Sequence, residues 1–177
     1  MKSISGLAAV AASLALMAGL GGASAGMSYQ VTVTNNMDKE LLAPILVAPA
    51  TEDGKIFAGE YVSKEAEHQI LTGDPGMLAK AIGTSASVGH GKDGPPGVLL
   101  APGKSVSFAV STDAKQLRVI AMVAPTMYKD HYVTALVDLD GKAMSVALDR
   151  FDIGHDEKRM TIAPIAKSVA TVRIGAK

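Results

Sequence analysis

From Val98 onward the chain shows no helical period; it is one extended segment after another, separated by turns. Residues 105–110 alternate apolar and polar side chains, residues 116–123 form a longer apolar run, and residues 133–139 and 143–148 flank Asp140-Gly141-Lys142. A period of two places one face of a strand in the core, whereas an unbroken run is the mark of a strand covered on both faces. Asp-Gly is a hairpin turn signal, because glycine takes the positive φ that such turns require. Pro102-Gly103 marks another turn, and residues 168–174 supply a final strand.

The first half adds strands and two short helices. Tyr29-Gln30-Val31-Thr32-Val33-Thr34 alternates and breaks at Asn35-Asn36. Residues 41–48 are apolar around Pro44 and Pro49, which predicts an edge or bulged strand, since proline donates no ladder hydrogen bond. Asp53-Gly54 marks a turn. Ser63 stands as a cap before residues 64–71, with acids in the first turn and Gly73 at the end. Asp74 then reads as the N-cap of a second helix with Pro75 in first position, and Met77, Leu78, Ala81 and Ile82 as its apolar face before Gly83. Residues 84–97 read as a flexible surface loop. About seven strands, mostly antiparallel, with two short helices inserted in the first half predict an all-β fold, a β-sandwich.

The N-terminus has a different character. Lys2 precedes an apolar run from Leu7 to Leu20, and Ala23-Ser24-Ala25 are small residues of the kind a signal peptidase accepts. The run is rich in Ala and Gly and barely reaches the roughly 18 to 20 residues of a membrane span. Residues 1–25 are therefore expected to be a cleaved signal and residues 26–177 one exported domain, periplasmic or extracellular, with no transmembrane segment. Without the signal, the chain carries one more acid than base. A near-neutral balance without a basic run argues against nucleic acid as a partner. The absence of Cys excludes disulfides, thiolate metal sites and Cys nucleophiles, so any site must use oxygen, imidazole or thioether chemistry.

Gly89-His90-Gly91-Lys92-Asp93-Gly94 has the spacing of a dinucleotide loop. That motif works only between a strand and a helix, and Pro95-Pro96-Gly97 forbids the helix. The acids near the C-terminal end are more informative. Lys129-Asp130-His131-Tyr132 and Phe151-Asp152-Ile153-Gly154-His155-Asp156 both sit where strands leave the sheet, so their loops can converge at one end of the sandwich. Carboxylates gathered there without a basic partner repel one another unless a cation neutralises them, and Ca²⁺ is the cation that favours oxygen ligands in flexible geometry. Gly154 would let its loop fold back so that Asp152 and Asp156 face one ion.

His131 and His155 flank these acids, and the chain has 9 Met. Imidazole and thioether suit softer metals, so the alternative is a periplasmic copper or zinc binding or delivery protein using His131, His155 and a nearby Met. Met77, Met122 and Met144 fall on apolar faces, where Met is ordinary core filler. A hydrolase using His155 with Asp152 or Asp156 is the third reading. The sequence offers no nucleophile elbow or oxyanion donors to accompany it.

The order of elements resembles the spondin N-terminal domain of short bacterial exported proteins. The likeness is carried by Thr32-Val33-Thr34-Asn35, Leu42-Ala43-Pro44-Ile45, Leu100-Ala101-Pro102-Gly103-Lys104-Ser105, Arg118-Val119-Ile120-Ala121-Met122-Val123-Ala124-Pro125-Thr126 and Phe151-Asp152-Ile153-Gly154. It covers nearly all of the chain after the signal. The resemblance implies a C2-like antiparallel β-sandwich, with Ca²⁺ bound in some members through Asp side chains of the two acidic loops. By position it implies Asp130 and Asp152 as ligands, with Asp156 as a third. Met127-Tyr128-Lys129 separate Thr126 from the first acid, where the family usually has Asn-Asp directly, and His155 stands where Thr is common. The expectation is a non-enzymatic adhesion or recognition module, its loop end ordered by Ca²⁺, meeting a glycan, a lipid headgroup or a protein.

Overall fold

The computed structural model describes residues 26–124, 130–140, 144–154 and 164–177. The expected signal, the turn residues Gly141 and Lys142, and His155 and Asp156 lie outside the described residues. The strands are β1 (Met27–Asn35), β2 (Leu41–Leu42), β3 (Ile45–Pro49), β4 (Phe57–Ala58), β5 (Tyr61–Val62), β6 (Ser87–Gly89), β7 (Ser105–Thr112), β8 (Gln116–Ala124), β9 (His131–Asp138), β10 (Met144–Asp152) and β11 (Ala166–Ala176). A 3₁₀ turn (Ala50–Lys55) and two helices, α1 (Lys64–Thr72) and α2 (Gly76–Ile82), lie between β3 and β6. The fold is the all-β antiparallel sandwich with short helices in its first half that the pattern predicts.

The main path runs β6-β3-β8-β9-β10-β11-β1-β7, with β2 also on β8. It turns over at β10. The first part of that strand pairs with β11, the register slips between Leu148 and Arg150, and residues 149–152 pair with residues 131–134 of β9. A strand that changes partner through an irregularity makes the corner of a sandwich. The strands flanking Asp140 therefore pair at the end far from the turn, because β10 belongs to the other layer beside it.

Two cores follow from this arrangement. One, between the layers, gathers Val31 and Val33 of β1, Val119 and Ala121 of β8, Val133 of β9 and Val172 of β11. The other lies outside β3, β8 and β9, where Leu46, Ile120 and Tyr132 meet Ile70 of α1 and Leu78 and Ile82 of α2. Strand β8 is thus covered on both faces, which is why its sequence is a run rather than an alternation.

The strand around Pro44 is bulged but not an edge, since β3 lies between β6 and β8. Leu42 pairs with Val123 and Leu46 with Ile120, so four steps on one strand face three on the other. Pro44 occupies the extra position, where no ladder donor is needed, and its carbonyl accepts from Gln69 Nε2 at 3.4 Å. Gln69 also reaches the Ile120 carbonyl at 3.4 Å and so ties α1 to the sheet.

The helix signals hold with small shifts. Ser63 Oγ accepts from the Ala66 amide at 3.1 Å, and Gly73 closes α1 at φ +78°. Asp74 Oδ1 accepts from the Gly76 amide at 2.8 Å, but Pro75 is the residue at the cap, one place later than the spacing predicts. On α2 only Leu78 and Ile82 of the expected face are buried; Met77 is 48% exposed and is no core filler. The helix is too short to sink a third side chain between the 3₁₀ turn and α1.

The glycine segment departs from expectation. Residues 87–89 form β6 on β3, and Asp93 and Leu99 exchange backbone hydrogen bonds. Asp93 Oδ2 also accepts from the Ala101 amide at 3.1 Å. This is a folded element, and Gly89 and Gly91 are there for closeness. At Gly89 a Cβ would lie 2.1 Å from the Phe108 ring of β7, so the two ends of the main path meet there.

Candidate functional site

The pairing of β9 with the far end of β10 builds the site. Asp152 lies directly across from His131, and Arg150 lies two residues before Asp152 on the same face. Asp130 precedes β9, and its carbonyl accepts the Ile153 amide at 3.1 Å, which ties the start of β9 to the segment after β10. One potential ligand atom from each of Asp130, His131 and Asp152 falls within 4.8 Å of the others. The two acids expected from separate loops therefore converge. Asp156, the third expected ligand, and His155, expected beside them, lie outside the described residues.

Asp130 is the unusual member. It is 4% exposed, and its Oδ1 is buried with no hydrogen-bond partner among the described residues. His131 Nε2 stands 3.8 Å from that oxygen and 3.7 Å from Asp152 Oδ2. A carboxylate removed from water and left without donors is costly, and Asp130, His131 and Asp152 together could hold a metal ion. Asp152 is better served. Its Oδ1 accepts from the Gly154 amide at 2.7 Å, and Gly154 has φ +73°, the backbone state that glycine supplies.

The acids are not without a basic neighbour, contrary to the sequence expectation. The Arg150 guanidinium donates through Nη2 to His131 Nδ1 and pairs through Nη1 with Glu40 Oε1 at 3.3 Å. Glu40 is held in turn, its carbonyl accepting from Asn35 Nδ2 at 2.8 Å. Sequence reading missed Arg150. The signal was its position two residues from Asp152, the strand period that puts both on one face.

Behind the site, on the opposite face of β9 and β10, Tyr132 stacks on Phe151 with ring centroids 5.7 Å apart. The Tyr132 hydroxyl is buried, with no hydrogen-bond partner among the described residues. Burial pushes its phenol well above the ordinary range; the nearby Arg118 charge opposes this, and Asp152 adds to it. Because the folded-state pKa is raised, the neutral phenol's stabilisation is complete below the unfolded value near 10 and is lost as pH rises above it. Tyr132→Phe should therefore leave stability at pH 7 unchanged or raised by up to about 1 kcal/mol, since it removes an unsatisfied buried group. It should also flatten the alkaline decline of the melting temperature between pH 9 and 11, followed by calorimetry.

Arg118, also unforeseen, holds Asp53 through two hydrogen bonds at 3.1 and 2.6 Å and lies 5.2 Å from the Phe57 ring centroid. This pair anchors the 3₁₀ turn and takes no part in the acidic cluster. Among the described residues no helix is long and apolar enough to cross a membrane. Comparison with protein-family models and with curated proteins finds no match to this chain.

Proposed function

We propose that this chain is an exported, non-enzymatic, spondin-like β-sandwich module that binds Ca²⁺ between Asp130 and Asp152, with Asp156 as a third ligand, and uses the ordered loop end for adhesion or recognition. The observation that carries the reading is the buried Asp130 Oδ1, without a partner among the described residues, beside a second carboxylate. The ion would cancel the repulsion of the acids and supply the missing partner. With that charge neutralised, the start of β9 and the end of β10 present one defined surface. A glycan, a lipid headgroup or a protein is the partner class for such a surface. Export rests on the N-terminal segment and its small-residue close.

Calorimetric titration of the purified protein with Ca²⁺ tests this. Heat of binding with one ion per chain is expected for the wild type and none for the Asp130→Ala, Asp152→Ala double variant. Absence of heat and of any melting shift in the wild type would reject the site. One observation favours the copper or zinc reading, namely that His131 Nε2 belongs to the cluster.

A further inference from the structure

We infer that Arg150 sets the metal preference of this site, by holding His131 in a state that keeps its imidazole from ligating and leaves the ion to oxygen ligands. The inference rests on the ion-binding reading above and deepens it.

The argument turns on which groups can donate. A guanidinium has five N–H donors and no acceptor. With Arg150 Nη2 at hydrogen-bond distance from His131 Nδ1, that nitrogen must be the acceptor, so the proton of the neutral ring sits on Nε2. Nε2 is the nitrogen that faces Asp130 Oδ1 and Asp152 Oδ2. To bind zinc or copper there, the ring must move that proton to Nδ1, where a cationic donor already stands.

Histidines that ligate metals show the reverse arrangement. Their second nitrogen donates to a carboxylate, a carbonyl or water, which fixes the tautomer and raises the basicity of the ligating nitrogen. Here the outer group is a donor and a cation. It is not free to swing aside, because Glu40 Oε1 holds Nη1 at 3.3 Å and the Arg150 side chain is only 15% exposed. Backbone pairing fixes the strand on both sides, Arg150 with Val133 of β9 and with Ala166 of β11. A hard cation takes its ligands from oxygen and asks no lone pair of His131.

The test reads the ring and the metals separately, on the full purified protein. Long-range ¹H–¹⁵N NMR, with His131 assigned by a His131→Gln variant, should show the Nε2–H tautomer in the wild type and its loss in Arg150→Met. Competitive titration should then show the ratio of Zn²⁺ to Ca²⁺ affinity rising about tenfold or more in Arg150→Met, the scale of outer-shell effects on metal sites. Adding His131→Gln to that variant should return the ratio to its wild-type value. Removing a positive charge strengthens both dications alike, so the ratio isolates the imidazole. Glu40→Ala, which loosens Arg150 without altering it, should move the ratio in the same direction by less and serves if Arg150→Met does not fold. An Nδ1–H tautomer in the wild type, or an unchanged ratio in the folded variants, would overturn the inference. A wild type that binds no Ca²⁺ would instead reject the proposed function, and the tautomer measurement would still decide the role of Arg150.

Discussion

Asp130→Asn is expected to raise the melting temperature in calcium-free buffer and to lower it in saturating Ca²⁺. The two signs come from the same atom. Without an ion, Asp130 is 4% exposed and no donor among the described residues reaches its Oδ1, so replacing the carboxylate with a neutral amide of equal size relieves desolvation. A gain of about 1 kcal/mol is expected, or roughly 2–4 °C in a domain of this size. With Ca²⁺ at a hundred times its dissociation constant, binding to the folded state alone adds about 2.7 kcal/mol, which is roughly 5–10 °C. The variant forfeits most of that increment. Asp152→Asn should show a weaker form of the crossing, because Asp152 is half-buried and the asparagine oxygen can still accept from the Gly154 amide. Scanning calorimetry of the three proteins in EGTA and in millimolar CaCl₂ decides it. A carboxylate serving only the fold would make Asp130→Asn the less stable protein in both buffers, and that result would remove the ion from the account.

The strands that carry this site were readable because their chemistry is local. Alternation in residues 29–34 and 105–110, and the unbroken run in residues 116–123, each report how many faces are covered. What decides the site is not local. The meeting of Asp130 with Asp152 depends on β10 slipping register between Leu148 and Arg150 and changing partner, an event no residue in the strand announces. The place of Arg150 follows from that same slip, as does its reach to Glu40 in a segment far away in sequence. Arg118 shows the other limit. Its presence inside an apolar run was visible, but its partner Asp53 is 65 residues distant and is supplied only by the folded 3₁₀ turn. Residues 87–89, which form β6, and Asp93, which pairs with Leu99, look like loop in the sequence, since glycine has no side chain with which to show a burial pattern.

Gly91→Ala should cost the fold several kcal/mol, more than any other substitution argued above. A Cβ at this position would lie 1.9 Å from the Leu99 carbonyl oxygen, 2.3 Å from its carbon and 2.6 Å from the Leu100 nitrogen. These are backbone atoms, so no rotamer change relieves the clash. They are also held from the other side: Leu100 and Leu42 exchange backbone hydrogen bonds of 2.8 and 3.0 Å, and Leu42 is itself paired to β8. Making room for one methyl therefore means pulling the segment off β2 or breaking the Gly91 amide's 2.9 Å bond to the Val98 carbonyl. Loss of two backbone bonds in a buried setting, with the packing of Leu100 behind them, is about 3 kcal/mol or more. Against a total of about 5–15 kcal/mol, the melting temperature should fall by roughly 6–12 °C or the domain should fail to fold. Gly175→Ala is the matched control, since nothing lies within 4 Å of its Cβ position. Alanine there restricts the unfolded chain and should stabilise by about 0.5 kcal/mol. Equal melting temperatures for the two variants would mean that the glycine loop yields freely, and the closeness of its backbone to Leu99 would then explain nothing about why glycine is required at residue 91.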